Sequence, residues 1–184
     1  MSVHLITGPM FAGKTSLLLS LKKESDREGV RSILVKSILD NRYNSDLSVE
    51  THDGAGEIGD IKCGNLSQVI ESPSFPDSEV IYIDEGQFFE SIDVFANKIS
   101  REYGKKVVIA AISTYHDCKP FKNISSLMTH CDNITVVQGQ CQICQKPSIY
   151  HVRKPGGSVI GGADSYYPVC RFHHPSGFRK SLDD

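Results

Sequence analysis

Eight residues near the start of the chain constrain its fold more than any other stretch. Gly8-Pro9-Met10-Phe11-Ala12-Gly13-Lys14-Thr15 satisfies G-x-x-x-x-G-K-[ST] in full. A short apolar run, residues 3–6, precedes it, and a helical pattern from Lys14 to Arg27 follows. Strand, glycine-rich turn and helix N-terminus, in that order, direct several backbone N–H groups at one anion, and the helix dipole adds partial positive charge. In such a loop Lys14 reaches the β- and γ-phosphates of a nucleotide and Thr15 offers its hydroxyl to Mg²⁺. All eight residues are therefore candidate ATP contacts.

A phosphate loop calls for an acid on a second strand. Val80-Ile81-Tyr82-Ile83-Asp84 is an apolar run that ends in one. Asp84 is the candidate partner of Thr15 in holding Mg²⁺. Glu85 follows, at a strand's carboxyl end, where a carboxylate accepts a proton from an attacking hydroxyl. Arg42, in Asp40-Asn41-Arg42-Tyr43, is a cation placed to stabilise charge on a transferring phosphoryl group. Glu85, Lys14 and Arg42 are the catalytic candidates.

The first 137 residues alternate short apolar runs with helical patterns, which predicts an α/β unit with a mostly parallel sheet. Strands are expected at 3–6, 32–36, 80–83, 107–111 and 133–137. Helices are expected at 14–27, 66–71 and 88–103, the last with apolar residues at 88, 89, 92, 95, 96, 99 and 103 on one face. From 138 to 178 the texture changes to Gly, Pro and Cys without helical period, which reads as a second, loop-rich unit. Residues 179–184 read as a tail.

That second unit is too poor in apolar residues to hold itself together and calls for a staple. Cys141-x-x-Cys144 and Cys170-x-x-His173 supply four ligands in zinc-knuckle spacing. With four protein ligands the zinc is structural, since catalytic zinc keeps an open position. His174 adjoins His173 and is the alternative fourth ligand. Cys63, Cys118 and Cys131 are expected to be free thiols, and His4, His52, His116, His130 and His151 show no ligand-type grouping. The loop between the knuckles, rich in glycine and carrying Tyr166, is suited to fold over a planar ligand.

Composition narrows the partners. The net charge is −2, from 20 basic and 22 acidic residues, which argues against a nucleic-acid-binding role. No apolar run approaches the ~18 residues that span a bilayer. No basic segment precedes the first apolar run, so a cytoplasmic protein is expected.

Taken together, the octapeptide at 8–15, Asp84-Glu85-Gly86-Gln87-Phe88-Phe89, the segment from Ile160-Gly161-Gly162-Ala163-Asp164 to Tyr166 and the two knuckles resemble, in order, the type II thymidine kinases. The resemblance spans about residues 3–174. It implies a RecA-like P-loop domain with a mostly parallel sheet, plus a small zinc-binding "lasso" domain. It implies Mg²⁺-dependent transfer of the ATP γ-phosphate to the 5′-hydroxyl of thymidine or deoxyuridine, with Glu85 as base and Arg42 on phosphate. Met10, Phe88, Phe121, Val159, Ile160, Gly161 and Tyr166 would bind the nucleoside. A homotetramer inhibited by thymidine triphosphate (dTTP) is also implied. The chain departs from the family pattern at 112–118, where an acid and an aromatic residue are replaced by Ser113 and His116 or displaced to Asp117 and Tyr115. Thr135 also lies further from Cys141 than the family's usual threonine. Two rival readings follow: a kinase of the same fold with altered nucleoside preference, and an ATP-driven module that grips nucleic acid through its knuckles.

Overall fold

The computed structural model describes residues 1–39, 48–50 and 56–175. Six strands form one sheet: β1 (Ser2–Thr7), β2 (Ser32–Ser37), β5 (Ile61–Cys63), β6 (Val80–Ile83), β7 (Lys106–Ala111) and β8 (Asn133–Val136). Their order is β5-β2-β6-β7-β1-β8, and every pairing is parallel. A separate antiparallel pair joins β3 (Ser48–Glu50) to β4 (Gly56–Ile58).

Parallel strands must be covered on both faces, and the side chains divide accordingly. On one face Ile6, Leu34, Tyr82 and Val108 pack against Leu18 and Leu19 of helix α1 (Lys14–Arg27). On the other, Leu5, Ile33, Ile81 and Ile109 meet α2 (Ser67–Ile70), α3 (Ile92–Tyr103) and α4 (Lys122–Met128) through Val69, Ile92, Phe95, Ile99, Ile124 and Leu127. Ile92 and Ile99 are fully buried. Each such side chain contributes roughly 1.5–3 kcal/mol relative to exposure. Gly104, at φ 68°, ends α3.

The helix expected over 88–103 begins only at Ile92. Gly86–Phe88 is a 3-10 turn and Phe89 is extended. The cause is a side chain competing for backbone: the Asn123 amide donates to the carbonyls of Gln87 (3.0 Å) and Phe89 (2.9 Å). Those carbonyls thereby gain a partner outside the regular helical ladder. Phe89 still reaches the core, at 3% exposure, but from a turn. The short strand β5 and helix α4 carry too little periodicity to be read from sequence.

Beyond β8 the chain forms two small antiparallel ribbons. β9 (Gly139–Gln140) pairs with β10 (Pro147–Ser148), and β11 (Tyr150–Arg153) pairs with β12 (Tyr166–Val169). A 3-10 turn, Arg171–His173, follows. All six cysteines are free of disulfides. Burial pushes the Cys63 and Cys131 thiols up to about 11, which keeps them protonated and inert.

Candidate active site

Four strands of the parallel sheet deliver functional segments at their carboxyl ends, the edge at which open α/β sheets bind ligands. β1 runs into the glycine-rich loop, β6 into Asp84 and Glu85, β7 into the 112–121 loop and β8 into the cysteine-bearing ribbons.

The loop's shape depends on its glycines. A Cβ at Gly8 would lie 2.2 Å from the Val137 carbonyl oxygen, so only glycine lets the chain leaving β8 pass there. Gly13 adopts φ 80° and precedes α1 without a side-chain cap, so the first helical N–H groups are left to a ligand. Lys14, 8% exposed, donates from Nζ to the Pro9 carbonyl at 2.7 Å, which lays the ammonium along the loop. The Thr15 hydroxyl donates to both oxygens of Asp84, at 3.1 and 3.3 Å. A hydroxyl and a carboxylate this close form an oxygen pair suited to a hard divalent cation.

Glu85 lies beside this pair, buried, with φ 52° and ψ 45°. A non-glycine residue in that region costs about 1–3 kcal/mol and persists only where its surroundings hold it. The Gln87 side-chain amide donates to the Glu85 carboxylate. Arg42 lies outside the described residues.

A cavity of about 1300 Å³ opens between the sheet edge and the ribbons. Met10, Phe88, Phe121, Val159, Ile160, Gly161 and Tyr166 all line it, and so do Phe11, Gly13, Lys14, Thr15 and Glu85. Phosphate-binding, acid and apolar surfaces thus share one space. The Tyr166 hydroxyl donates to the Val159 carbonyl (2.7 Å), and the Ser158 N–H donates to Ser165 Oγ (3.1 Å), which braces the loop between the knuckles. A Cβ at Gly161 would fall 2.4 Å from Ser165 Oγ, so that brace requires glycine.

The 112–121 loop, where the sequence departs from the family pattern, still supplies aromatic wall. Thr114 bridges to Pro120, and the Tyr115 ring stacks on Phe121 with centroids 3.7 Å apart. His116 sits 6.5 Å from Tyr166, ring to ring. Thr135 is not on the cavity wall; its hydroxyl meets His4 Nε2 at 2.8 Å.

His116 and His151 show no ligand-type grouping in the sequence, yet both line the cavity. His151 projects from β11, 4% exposed, and meets Tyr166 edge-on at 5.8 Å. Its Nδ1 is buried without a partner among the described residues. Burial first, then the Lys14 ammonium and the neighbouring His116 and His174 rings, push its pKa down to about 4. A histidine held neutral this way stabilises the fold fully above its ordinary pKa of 6.5, and that stability is lost as pH falls from 6.5 toward 4. The shift corresponds to roughly 3 kcal/mol. Thermal unfolding between pH 7 and 4.5 is therefore expected to show a smaller fall in Tm for His151→Asn than for the parent. Parallel curves would mean that His151 is not buried neutral.

The two knuckles meet. Cys144 Sγ and Cys170 Sγ are 3.7 Å apart, and His173 Nδ1 lies 3.5 Å from Cys141 Sγ and 3.4 Å from Cys170 Sγ. All four ligand atoms fall within 4.8 Å of one another. Tetrahedral zinc with its usual bond lengths has edges of about 3.8 Å between sulfurs and about 3.6 Å between sulfur and nitrogen. The cluster is compatible with zinc on that measure. Burial raises the Cys141 thiol, but backbone hydrogen bonds at Cys170, Cys144 and Ile143 and one from His173 outweigh it and bring it to about 6. That favours the thiolate a metal requires. His174 turns the other way, with Nε2 3.2 Å from the His116 carbonyl and 3.7 Å from Cys118 Sγ.

A parallel sheet whose first strand feeds a glycine-rich loop and helix defines a P-loop nucleotide-binding protein. The thymidine kinase family model matches residues 1–174. The chain is 35% identical over 185 residues to a thymidine kinase of Oryza sativa subsp. japonica, covering 95% of this chain and 66% of the rice protein. It is 34% identical to thymidine kinase a of Arabidopsis thaliana, over 94% of this chain and 74% of that one. It is 37% identical to the thymidine kinase of Myxoma virus strain Lausanne, over 92% and 93%. The chain belongs to the thymidine kinase family and is a kinase of nucleotide salvage that uses ATP.

Proposed function

We propose that the chain transfers the γ-phosphate of ATP to the 5′-hydroxyl of thymidine, and of deoxyuridine, giving the nucleoside 5′-monophosphate and ADP. One observation carries this reading: Glu85 shares a single cavity with Lys14 of the glycine-rich loop and with Phe88, Phe121 and Tyr166. A carboxylate that shares a cavity with a phosphate loop and aromatic walls is available to a hydroxyl presented by a flat ligand.

In the reaction the 5′-hydroxyl proton passes to Glu85 as the new O5′–P bond forms. The bond from Pγ to the β,γ-bridging oxygen breaks, and its electron pair leaves with ADP. Lys14, the loop N–H groups of residues 8–15 and Arg42 neutralise charge on the transferring group. Thr15 and Asp84 would hold Mg²⁺, which would supply charge neutralisation during the transfer. Met10, Phe88, Phe121 and Tyr166 sandwich the base. The backbone at Val159, Ile160 and Gly161 reads its edge while the loop excludes water that would otherwise hydrolyse ATP. Cys141, Cys144, Cys170 and His173 would hold zinc, which would fix that loop at its base. Assembly as a cytoplasmic homotetramer and inhibition by dTTP belong to the same reading. Among the described residues no helix is long and apolar enough to cross a membrane.

A second reading, altered nucleoside preference, is favoured by one feature: two imidazoles, His116 and His151, line the cavity. Polar groups in a base pocket discriminate strongly when they pair with the substrate. Comparing kcat/KM for thymidine, deoxyuridine, deoxycytidine and a purine deoxynucleoside separates the two. Preference for thymidine and deoxyuridine supports the first reading; preference for another nucleoside replaces it with the second.

A further inference from the structure

The Glu85 carboxylate needs something to aim it. Its backbone is in the left-handed region, and the strand ends just before it. The side chain of Gln87, 6% exposed, lies against it. The two ends of that amide are not interchangeable. The Ile112 backbone N–H donates to Gln87 Oε1 at 3.2 Å, which leaves Nε2 as the end that donates to Glu85. The turn carrying both residues is held in turn by Asn123 of α4, which bonds the carbonyls of Gln87 and Phe89. Ile112 opens the loop that bears Tyr115, His116 and Phe121, all on the cavity wall. One buried amide therefore joins the candidate base to the root of the loop that walls the nucleoside slot.

We propose that Gln87 is the positioning residue of this kinase: its amide, oriented by the Ile112 N–H, aims the Glu85 carboxylate at the nucleoside hydroxyl and registers it with the 112–121 loop. The proposal rests on the reading of Glu85 as the proton acceptor. Gln87 lines the cavity but touches neither reacting atom, so its effect on the proton transfer itself travels through Glu85. Misaiming a catalytic group by about an ångström lowers turnover by up to about a hundredfold.

The test is a double-mutant cycle on the full chain with ATP, Mg²⁺ and thymidine. Gln87→Met keeps the length of the side chain and removes both hydrogen bonds. It is expected to lower kcat about ten- to hundredfold with both KM values changed less than about threefold. In a Glu85→Gln background the same substitution is expected to cost less than about twofold, because the group it aims is already gone. Equal losses in both backgrounds would overturn the role of Gln87 and leave Glu85 standing. Full activity in Glu85→Gln alone would instead remove the reading beneath it.

Because Gln87→Met strands the Ile112 N–H and could unfold the turn, Gln87→Glu is the second variant. It keeps an acceptor for Ile112 and sets a carboxyl against Glu85. Two carboxyls at such a distance share one proton, and while they share it the new side chain still donates. As pH rises the proton leaves, the two charges repel and Glu85 swings away. Turnover of Gln87→Glu relative to the parent is expected to drop at least about tenfold between pH 6 and 8.5. A ratio constant with pH, at an unchanged Tm, would overturn the proposal.

Discussion

Glu85→Gln is expected to lower kcat by about two to four orders of magnitude while leaving ATP affinity within a few-fold of the parent. The substitution keeps the size of the side chain and leaves an amide oxygen for Gln87 to donate to. The loop at 8–15 and the Thr15–Asp84 pair are untouched, so nucleotide binding has no reason to change. What disappears is the basic oxygen that takes the 5′-hydroxyl proton. Steady-state kinetics together with nucleotide titration separates these effects. A variant with full turnover would remove Glu85 as the base, and one that no longer binds ATP would move its role from chemistry to binding.

The second large effect concerns the metal cluster. Cys144→Ser, or removal of zinc by a chelator, is expected to lower kcat/KM for thymidine at least about a hundredfold while ATP binding weakens by less than about tenfold. Structural zinc contributes on the order of 10 kcal/mol to folding of its site, and these ribbons have little else. They are two and four residues long, outside both faces of the main core. Without the staple, Val159 and Tyr166 lose the frame that sets them over the cavity. Some loss should reach the nucleotide side, because a Cβ at Gly139 would lie 3.3 Å from the Phe11 carbonyl, so β9 rests on the glycine-rich loop. Metal content, thymidine kinetics and ATP titration on one preparation check the prediction. Full activity in zinc-free protein would contradict it.

The parts of this molecule that were legible in the sequence are those in which local pattern and tertiary need agree. The strands expected at 32–36, 80–83 and 107–111 fall within β2, β6 and β7, whose apolar side chains are buried on both covered faces of the sheet. The octapeptide specifies its turn through glycines that nothing else can replace. Within each knuckle the x₂ spacing sets two ligands side by side, and the fold brings the two pairs to one point. Illegible were features set by partners distant in sequence. The late start of α3 is the work of Asn123, more than thirty residues away from the turn it holds. His151 showed no ligand-type grouping in the sequence; only the fold sets it against Tyr166 and within reach of the Lys14 charge. The signal available in sequence was its position between the knuckles, in a strand alternating with Tyr150 and Val152. Gln87 was visible only as one letter in a motif, because its role lies in which end of its amide faces Glu85.

The central claim is that one cavity presents a nucleoside hydroxyl to the γ-phosphate of ATP across Glu85. Its most direct test is single-turnover transfer from γ-labelled ATP with Mg²⁺ and thymidine, with Lys14→Ala as the blank and the product identified by chromatography. The account predicts label on the 5′-oxygen of thymidine with the parent chain, and none above background with the blank. Label released as inorganic phosphate, with none on thymidine, deoxyuridine or any other nucleoside offered while ATP still binds, would contradict it.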